Sequence, residues 1–89
     1  MKLSDLTKSK IHIIGINGIG MSALAIYLKK NKIDVSGSDI AYNANTVNLE
    51  KHKIRVYIGH KISNIKNKDI IFYSSAIKNN PEIKEAKKK

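Results

Sequence analysis

The chain has 89 residues, a formal net charge of +10 and no cysteine. This length leaves room for about one domain with one site, and the missing thiols exclude disulfides, cysteine metal sites and cysteine nucleophiles. No apolar run approaches the roughly 20 residues of a membrane-spanning helix, and the polar first ten residues do not resemble a signal peptide, which favours a cytoplasmic location.

Lysine carries almost all of the positive charge, and Arg55 is the only arginine. Nucleic-acid readers prefer arginine, because its planar guanidinium matches phosphates and base edges bidentately. No aromatic residues are interleaved with the lysine-rich C-terminal end. We therefore interpret the charge as a solvated lysine surface that favours anionic ligands in general, rather than as a nucleic-acid-binding patch.

The first half of the sequence predicts a strand, a helix and a second strand. Residues 11–14 form a β-branched run typical of a buried strand, and a glycine-rich turn follows at 15–20. Apolar residues then recur at helical spacing over 21–30, where basic residues close the helix. Residues 33–36 predict the second strand, which we expect to end at the Gly-Ser-Asp turn of 37–39.

The second half predicts two more strands and two helices. Residues 43–52 form a weakly apolar helix, and 55–58 and 69–73 have the composition of strands. Residues 80–82 supply an N-cap asparagine, a first-turn proline and a glutamate near the positive end of a last helix.

Strands and helices alternate at spacings that suit parallel strands joined by right-handed crossovers. The predicted fold class is therefore α/β, a Rossmann-like open parallel sheet with flanking helices. Because no strand follows the last helix, we expect residues 1–89 to form one domain that is incomplete at its C-terminal end.

Residues 15–20 read Gly-Ile-Asn-Gly-Ile-Gly between a predicted strand and a predicted helix. A glycine turn in this place lets backbone approach a pyrophosphate, and the helix N-terminus supplies N–H groups. Asn17 stands where the dinucleotide fingerprint G-x-G-x-x-G has its second glycine. Asparagine tolerates left-handed backbone, but its side chain could crowd a phosphate. The alternative is a tight turn that serves only helix–sheet packing.

Small or polar residues end all four predicted strands, at the sheet edge where ligands of open α/β sheets bind. Asp39 ends the second strand, where an acid can accept hydrogen bonds from a ribose, and the alternative is an aspartate in a surface turn. Ser74 and Ser75 either bind a phosphate or sugar or cap the following loop. The four endings are residues 15–20, 37–39, 59–60 and 74–77.

The three histidines receive different interpretations. His12 lies inside the first strand and is expected to be a packing residue. His52 lies among lysines and is expected to be solvated. His60 follows the third strand, as either a turn residue or a ligand contact.

Four blocks of the sequence together resemble the N-terminal domain of the Mur ligases, in particular the branch that joins L-alanine to UDP-N-acetylmuramate. They keep the order and spacing of that family from about residue 10 to the end. Asn17 departs from the pattern, because the family usually has glycine there. The blocks are residues 11–22, 35–39, 58–60 and 74–82.

The resemblance implies a three-domain enzyme whose first domain binds the UDP end of the nucleotide sugar. The second domain binds ATP and the third helps to bind the amino acid. With Mg²⁺, the enzyme forms an acyl phosphate on UDP-N-acetylmuramate, which the amine of L-alanine attacks in a cytoplasmic step of peptidoglycan synthesis. Since the chain has no G-x-x-x-x-G-K-[ST] motif and no carboxylate cluster, we expect it to bind the nucleotide sugar without ATP or metal and to catalyse nothing alone.

The resemblance also implies roles for individual residues. Ser38 and Asp39 are expected to contact the uridine. Ser74, Ser75 and Ala76 are expected near the phosphates or the sugar, where His60 is a further candidate. The glycine turn is expected to meet the diphosphate through Gly15, Asn17, Gly18, Ile19, Gly20 and Met21.

Other functions remain open at this point. One is an NAD-binding domain of an oxidoreductase. Asn17 and the serine of the Gly-Ser-Asp ending both argue against this function. Another is a non-enzymatic nucleotide-sensing module. Within the family, the ligase that recycles murein tripeptide is an alternative, although its sequence looks less like residues 74–77.

Overall fold

The computed structural model describes residues 8–73 and 80–87. Among these residues, no helix has the length and hydropathy needed to cross a bilayer. The elements in chain order are β1 (Lys10–Ile14), α1 (Ile19–Lys30), β2 (Asp34–Asp39), α2 (Ala44–Lys51), β3 (Arg55–Ile58), a 3-10 helix (Ile62–Ile65), β4 (Ile70–Tyr73) and α3 (Pro81–Lys87).

The four strands form one parallel sheet in the order β3-β2-β1-β4. The predicted open parallel sheet with flanking helices is confirmed. β1 is central, and its residues from Ile11 onward are fully buried because strands pair with it on both sides. The chain adds β2 and β3 on one side of β1 and then crosses to add β4 on the other side, so the topological switch point lies between β1 and β4, which is where ligands of such sheets bind.

Alternate residues of β1 and β2 face opposite sides of the sheet. On one side, Ile11, Ile13 and Val35 join the main hydrophobic core, to which α1 contributes Ala25 and Leu28. The predicted apolar face of α1 is thus the face that packs on the sheet. The other side of the same two strands carries polar residues, described with the functional site.

Two element boundaries differ from the predictions by more than one residue. α1 begins at Ile19, two residues before the predicted start, because the backbone N–H of Ser22 already donates to the Gly18 carbonyl. β2 continues through 37–39, which had been predicted as a turn. Those residues pair with β3, and Asp39 lies opposite Ile58, so the Gly-Ser-Asp sequence is strand rather than turn.

Gly37 lies where the Ile16 side chain of the glycine turn packs closely against β2. A Cβ atom at this position would lie 2.3 Å from the Ile16 Cδ1 atom and 2.8 Å from the Ile13 carbonyl oxygen. Only glycine therefore lets the fully buried Ile16 side chain pack against this strand.

α2 has little apolar surface, as the sequence predicts, and its N-terminus is closed by a capping box. The Asn43 side chain accepts from the N–H groups of Asn45 and Thr46, and the Thr46 hydroxyl accepts from the Asn43 N–H at 3.0 Å. Such caps typically contribute about 1 kcal/mol. The box fixes the start of α2 beside the glycine turn.

Candidate functional site at the carboxyl edge of the sheet

The glycine turn is held to the end of β2 by backbone hydrogen bonds. The N–H groups of Gly15 and Ile16 both donate to the Ser38 carbonyl, at 2.8 and 3.1 Å. Gly15 has a φ of 80°, so the left-handed residue of the turn is Gly15, and the expected tolerance of Asn17 for that conformation is not used.

The N-terminus of α1 lies at this edge and presents a group of backbone N–H donors. Helix geometry leaves its first N–H groups, those of Ile19, Gly20 and Met21, without an intrahelical acceptor. No acidic residue lies in the first turn, and Ile19 is 86% exposed. The arrangement can receive an anion through its N–H groups and its positive dipole end.

Asn17 joins the glycine turn to the connection between β2 and α2. Its N–H donates to Asp39 Oδ2 at 2.9 Å, and its side-chain amide donates to the Ala41 carbonyl at 2.7 Å. Its carbonyl accepts from the Asn45 side chain at 2.7 Å. Only 6% of Asn17 is exposed. Because its side chain bonds Ala41, it is directed into this connection and does not lie over the N-terminus of α1.

Asp39 lies beside the glycine turn, and both of its oxygens accept backbone N–H groups. Oδ2 accepts from Asn17, and Oδ1 accepts from Ile40 at 2.8 Å. A carboxylate oxygen can accept two hydrogen bonds, so each retains capacity for a ligand hydroxyl. Three of the predicted diphosphate donors are already engaged, since the N–H groups of Gly15, Asn17 and Gly18 donate to the Ser38 carbonyl, Asp39 Oδ2 and the Gly15 carbonyl. This leaves the N–H groups of the first turn of α1.

The side chain of Ser38 is fully buried beneath this edge. Its hydroxyl donates to Glu82 Oε1 at 2.6 Å and lies 3.0 Å from the Nδ1 atom of His60. The structure therefore groups Ser38 with His60, and it groups Asp39 with the glycine turn. Residues 74–76, expected near the phosphates or the sugar, lie outside the described residues.

Glu82 is the centre of a buried polar cluster between α3 and the sheet. Its side chain is 0% exposed and contacts His12 Nε2 at 3.2 Å as well as the Ser38 hydroxyl. Its other oxygen accepts from the Lys61 N–H at 3.0 Å and from the Asn64 side-chain amide at 2.5 Å. One carboxylate thus ties α3 to β1, to β2 and to the segment after β3.

The cluster also determines the ionisation of Glu82. Burial by itself raises the pKa of a carboxyl group, but hydrogen bonds from His12, Ser38 and Asn64 outweigh it and lower the pKa of Glu82 from 4.5 to about 2. Glu82 is therefore a carboxylate at neutral pH.

A concave region lies between β4 and α3, and no residue of the glycine turn lines it. It encloses about 330 Å³ and includes Tyr73, at the end of β4. None of the predicted site residues that the structure describes lines it. The remaining lining residues are Ile65, Lys68, Asp69, Ile71, Ala86 and Lys87.

The model of the family described as "Mur ligase family, catalytic domain" matches residues 10–89. The chain belongs to the Mur ligase family. The predicted resemblance is thus confirmed, over almost the whole of the chain.

Similar proteins include the UDP-N-acetylmuramate–L-alanine ligases of Rickettsia typhi and Campylobacter jejuni. The first is 47% identical over 97% of this chain, and the second is 53% identical over 86%. In both cases the match covers 18% of the relative, so this Mur ligase chain spans about a fifth of the length of these proteins.

Solved structures of the family show the same fold. The UDP-N-acetylmuramate–alanine ligase of Thermotoga maritima has a TM-score of 0.84 and 38% identity over 90% of this chain and 19% of its own. A murein peptide ligase from Psychrobacter arcticus has a TM-score of 0.78 and 28% identity, over 88% of this chain and 17% of its own.

Sequence reasoning missed the Glu82 cluster in this Mur ligase domain. His12 is buried as predicted, but it is more than a packing residue, because its ring also bonds the Ser36 hydroxyl at 3.0 Å. The available pattern was the set of polar residues on one face of two buried strands, His12, Ser36 and Ser38. Polar residues in such strands need buried partners.

Proposed function

We propose that this chain is the nucleotide-sugar-binding part of a ligase that joins L-alanine to UDP-N-acetylmuramate with ATP, in cytoplasmic peptidoglycan precursor synthesis. The observation that carries the proposal is the exposed, acid-free N-terminus of α1, with the Asp39 carboxylate bonded to the turn that precedes it. Such a site suits a ligand that combines a diphosphate with hydroxyl groups. The names of the similar ligases give the class of substrate.

Each part of the ligand has a matching group on the chain. The diphosphate meets the N–H groups of Ile19, Gly20 and Met21, where the net charge of +10 also favours an anion. Asp39 accepts hydrogen bonds from the uridine ribose through the free lone pairs of its oxygens. In this proposal, residues 74–76 approach the phosphates or the sugar.

ATP and Mg²⁺ belong in this proposal to other parts of the complete enzyme. The sequence has no P-loop motif. The carboxylates described above are engaged, since Asp39 accepts two backbone N–H groups and Glu82 is buried among donors. The residues present therefore do not fit a nucleotide triphosphate with its metal. We expect no ligase turnover by this chain alone, and measurable turnover would contradict that expectation.

The binding proposal is tested by titrating the chain with UDP-N-acetylmuramate, UDP and NAD while backbone amide signals are followed by NMR. We expect the signals of 15–21 and Asp39 to shift with both uridine ligands. A response to NAD alone would instead assign the site to a dinucleotide and overturn the proposal.

Replacing Asp39 by alanine is expected to weaken the binding of UDP about ten- to hundredfold, because a hydrogen bond to a charged group contributes about 1.5–3 kcal/mol. Calorimetric titration measures the affinity. Thermal unfolding of the same variant is needed, since Asp39 also holds the Asn17 N–H.

Asp34→Ala is the matched control. Asp34 begins the same strand, is exposed and lies at the opposite edge of the sheet, so its removal changes the net charge equally. We expect this variant to bind UDP as the unaltered chain does. An equal loss of affinity in both variants would reduce the role of Asp39 to general electrostatics.

A further inference from the structure

The hydroxyl of Ser38 has three polar neighbours but only one proton. Glu82 Oε1 lies at 2.6 Å, His60 Nδ1 at 3.0 Å and His12 Nε2 at 3.3 Å. The hydroxyl can donate to only one of these neighbours, so the other two must donate to it.

Every group in hydrogen-bonding contact with the Glu82 carboxyl can act as a donor. Oε2 receives the Lys61 N–H and the Asn64 amide, and Oε1 receives the Ser38 hydroxyl. The Lys61 N–H and the Asn64 amide have no lone pair that could accept a proton from Oε2. Because the hydrogen bonds of the cluster lower the pKa of Glu82 to about 2, its Oε1 atom carries no proton at neutral pH either, and Glu82 only accepts. The proton of Ser38 consequently points to Glu82.

The two histidine rings must then donate toward Ser38 and Glu82. His60 donates from Nδ1, because a lone pair on that atom would face the lone pairs of the Ser38 oxygen and of Glu82 Oε1, 3.5 Å away. By the same reasoning His12 carries a proton on Nε2, which lies 3.2 Å from Glu82 Oε1. The cluster thus assigns opposite ring nitrogens to the two histidines.

A neutral histidine with its proton on Nδ1 has a lone pair on Nε2. His60 follows β3 at the carboxyl edge, its side chain is 15% exposed, and Nε2 has no hydrogen-bond partner within 8–73 and 80–87. We propose that Glu82, acting through Ser38, holds His60 in this tautomer, so that Nε2 accepts a hydrogen bond from a hydroxyl or imide N–H of the uridine nucleotide.

This inference rests on the proposed function and sharpens it. A lone pair on Nε2 repels phosphate oxygens and attracts a neutral donor, so His60 reads the ribose, the uracil or the attached sugar rather than the diphosphate. Glu82 and Ser38 are positioning residues for His60, because neither is exposed to a ligand.

The first test is nitrogen-15 NMR of the histidine rings in the ligand-free chain, in mildly alkaline buffer. We expect His60 to be protonated on Nδ1, the opposite of the tautomer that neutral histidine favours in water. His12, protonated on Nε2, is the internal reference. In Ser38→Ala, His60 is expected to move toward the Nε2–H form. A His60 ring protonated on Nε2 in the unaltered chain, or a tautomer unchanged in Ser38→Ala, overturns the inference.

The second test is His60→Asn, whose side-chain amide can donate to Ser38 as Nδ1 does but has no atom at the Nε2 position. We expect the unfolding temperature to stay close to that of the unaltered chain. The affinity for UDP-N-acetylmuramate should fall roughly three- to tenfold, which corresponds to one neutral hydrogen bond.

The ligand group that donates to His60 is identified by the probe for which His60→Asn no longer loses affinity. UDP-N-acetylmuramate is compared with UDP, which lacks the attached sugar. UDP is in turn compared with 2′-deoxy-UDP, which lacks a ribose hydroxyl, and with N3-methyl-UDP, which lacks the imide proton. If His60→Asn binds UDP-N-acetylmuramate as tightly as the unaltered chain, the role of His60 is refuted while the binding site stands. If the unaltered chain binds none of the probes, the proposed function itself fails, and the ligand contact of His60 fails with it.

Discussion

Replacing Glu82 by alanine is expected to lower the free energy of unfolding by about 3–5 kcal/mol, the usual effect of removing one partner from a buried ion-paired cluster. The change leaves the Ser38 hydroxyl, the Lys61 N–H and the Asn64 amide without their shared acceptor, and both Ser38 and Asn64 are buried. Since domains of this size are marginally stable, this side chain accounts for a large share of the free energy of unfolding. Urea denaturation followed by circular dichroism measures the change.

The effect of Glu82 has a definite pH dependence. The pKa of Glu82 is about 2 in the folded chain, against the ordinary value of 4.5 that stands for the unfolded chain. Its contribution to stability is therefore fully present above about pH 4.5 and is lost as the pH falls toward about 2. Glu82→Gln cannot ionise and lacks this contribution. The difference in unfolding free energy between the unaltered chain and Glu82→Gln should therefore shrink over that range.

Glu85→Gln removes the same charge from the same helix and is the matched control. Glu85 is only partly buried, so we expect a change within about 0.5 kcal/mol, as for most surface substitutions. If Glu82→Gln were as stable as Glu85→Gln from neutral to acid pH, the Glu82 cluster would not stabilise the fold as described.

Replacing Gly37 by alanine is expected to destabilise the fold by about 3 kcal/mol, at the upper end of the usual range for overpacking. The added methyl group would meet the Ile16 side chain at 2.3 Å and the Ile13 carbonyl oxygen at 2.8 Å. A side chain can rotate away, but the carbonyl oxygen belongs to β1, which is paired with β2 at this very position. Relief therefore requires the strands or the glycine turn to shift.

Gly20→Ala is the matched control for this prediction. Apart from the chain neighbours and the nearby backbone of α1 itself, no atom lies within 4 Å of a Cβ at Gly20. The residue is within α1, so the free energy of unfolding should be unchanged or increase by up to about 1 kcal/mol. Equal destabilisation by the two substitutions would show that steric contact at Gly37 is not the cause.

A double-mutant cycle locates the contact. Ile16→Ala alone should cost about 2–5 kcal/mol because Ile16 is fully buried. Combined with Gly37→Ala, it should cost less than the sum of the two single changes, since the shorter side chain leaves room for the new methyl group. Strictly additive effects would contradict the geometry at Ile16.

The sequence was sufficient for the order of the strands and α-helices and for the place of the glycine turn at the carboxyl edge of the sheet. β-branched and aromatic residues followed by small or polar clusters predict all four strands. Only β1, which is buried on both faces, has a nearly continuous apolar composition. The boundaries at 37–39 were wrong, since Gly, Ser and Asp have turn propensities that pairing with β3 overrides. Local propensity does not include the neighbouring strand.

The glycine turn illustrates the division between sequence and structure. Its place between β1 and α1 follows from the motif, because glycines after a strand open a helix. The direction of the Asn17 side chain does not, since it depends on the Ala41 carbonyl, 24 positions away.

The sequence by itself determined the Mur ligase resemblance, the parallel sheet and a glycine turn at its carboxyl edge. Each of these depends on residues that are close together in the chain or on the spacing of whole blocks. The tertiary structure alone decided that Glu82 meets His12, 70 positions away, and that Ser38 connects Glu82 to His60. The physical reason is that a buried hydrogen bond depends on which side chains share one closed space, and only the docking of α3 on the sheet creates that space.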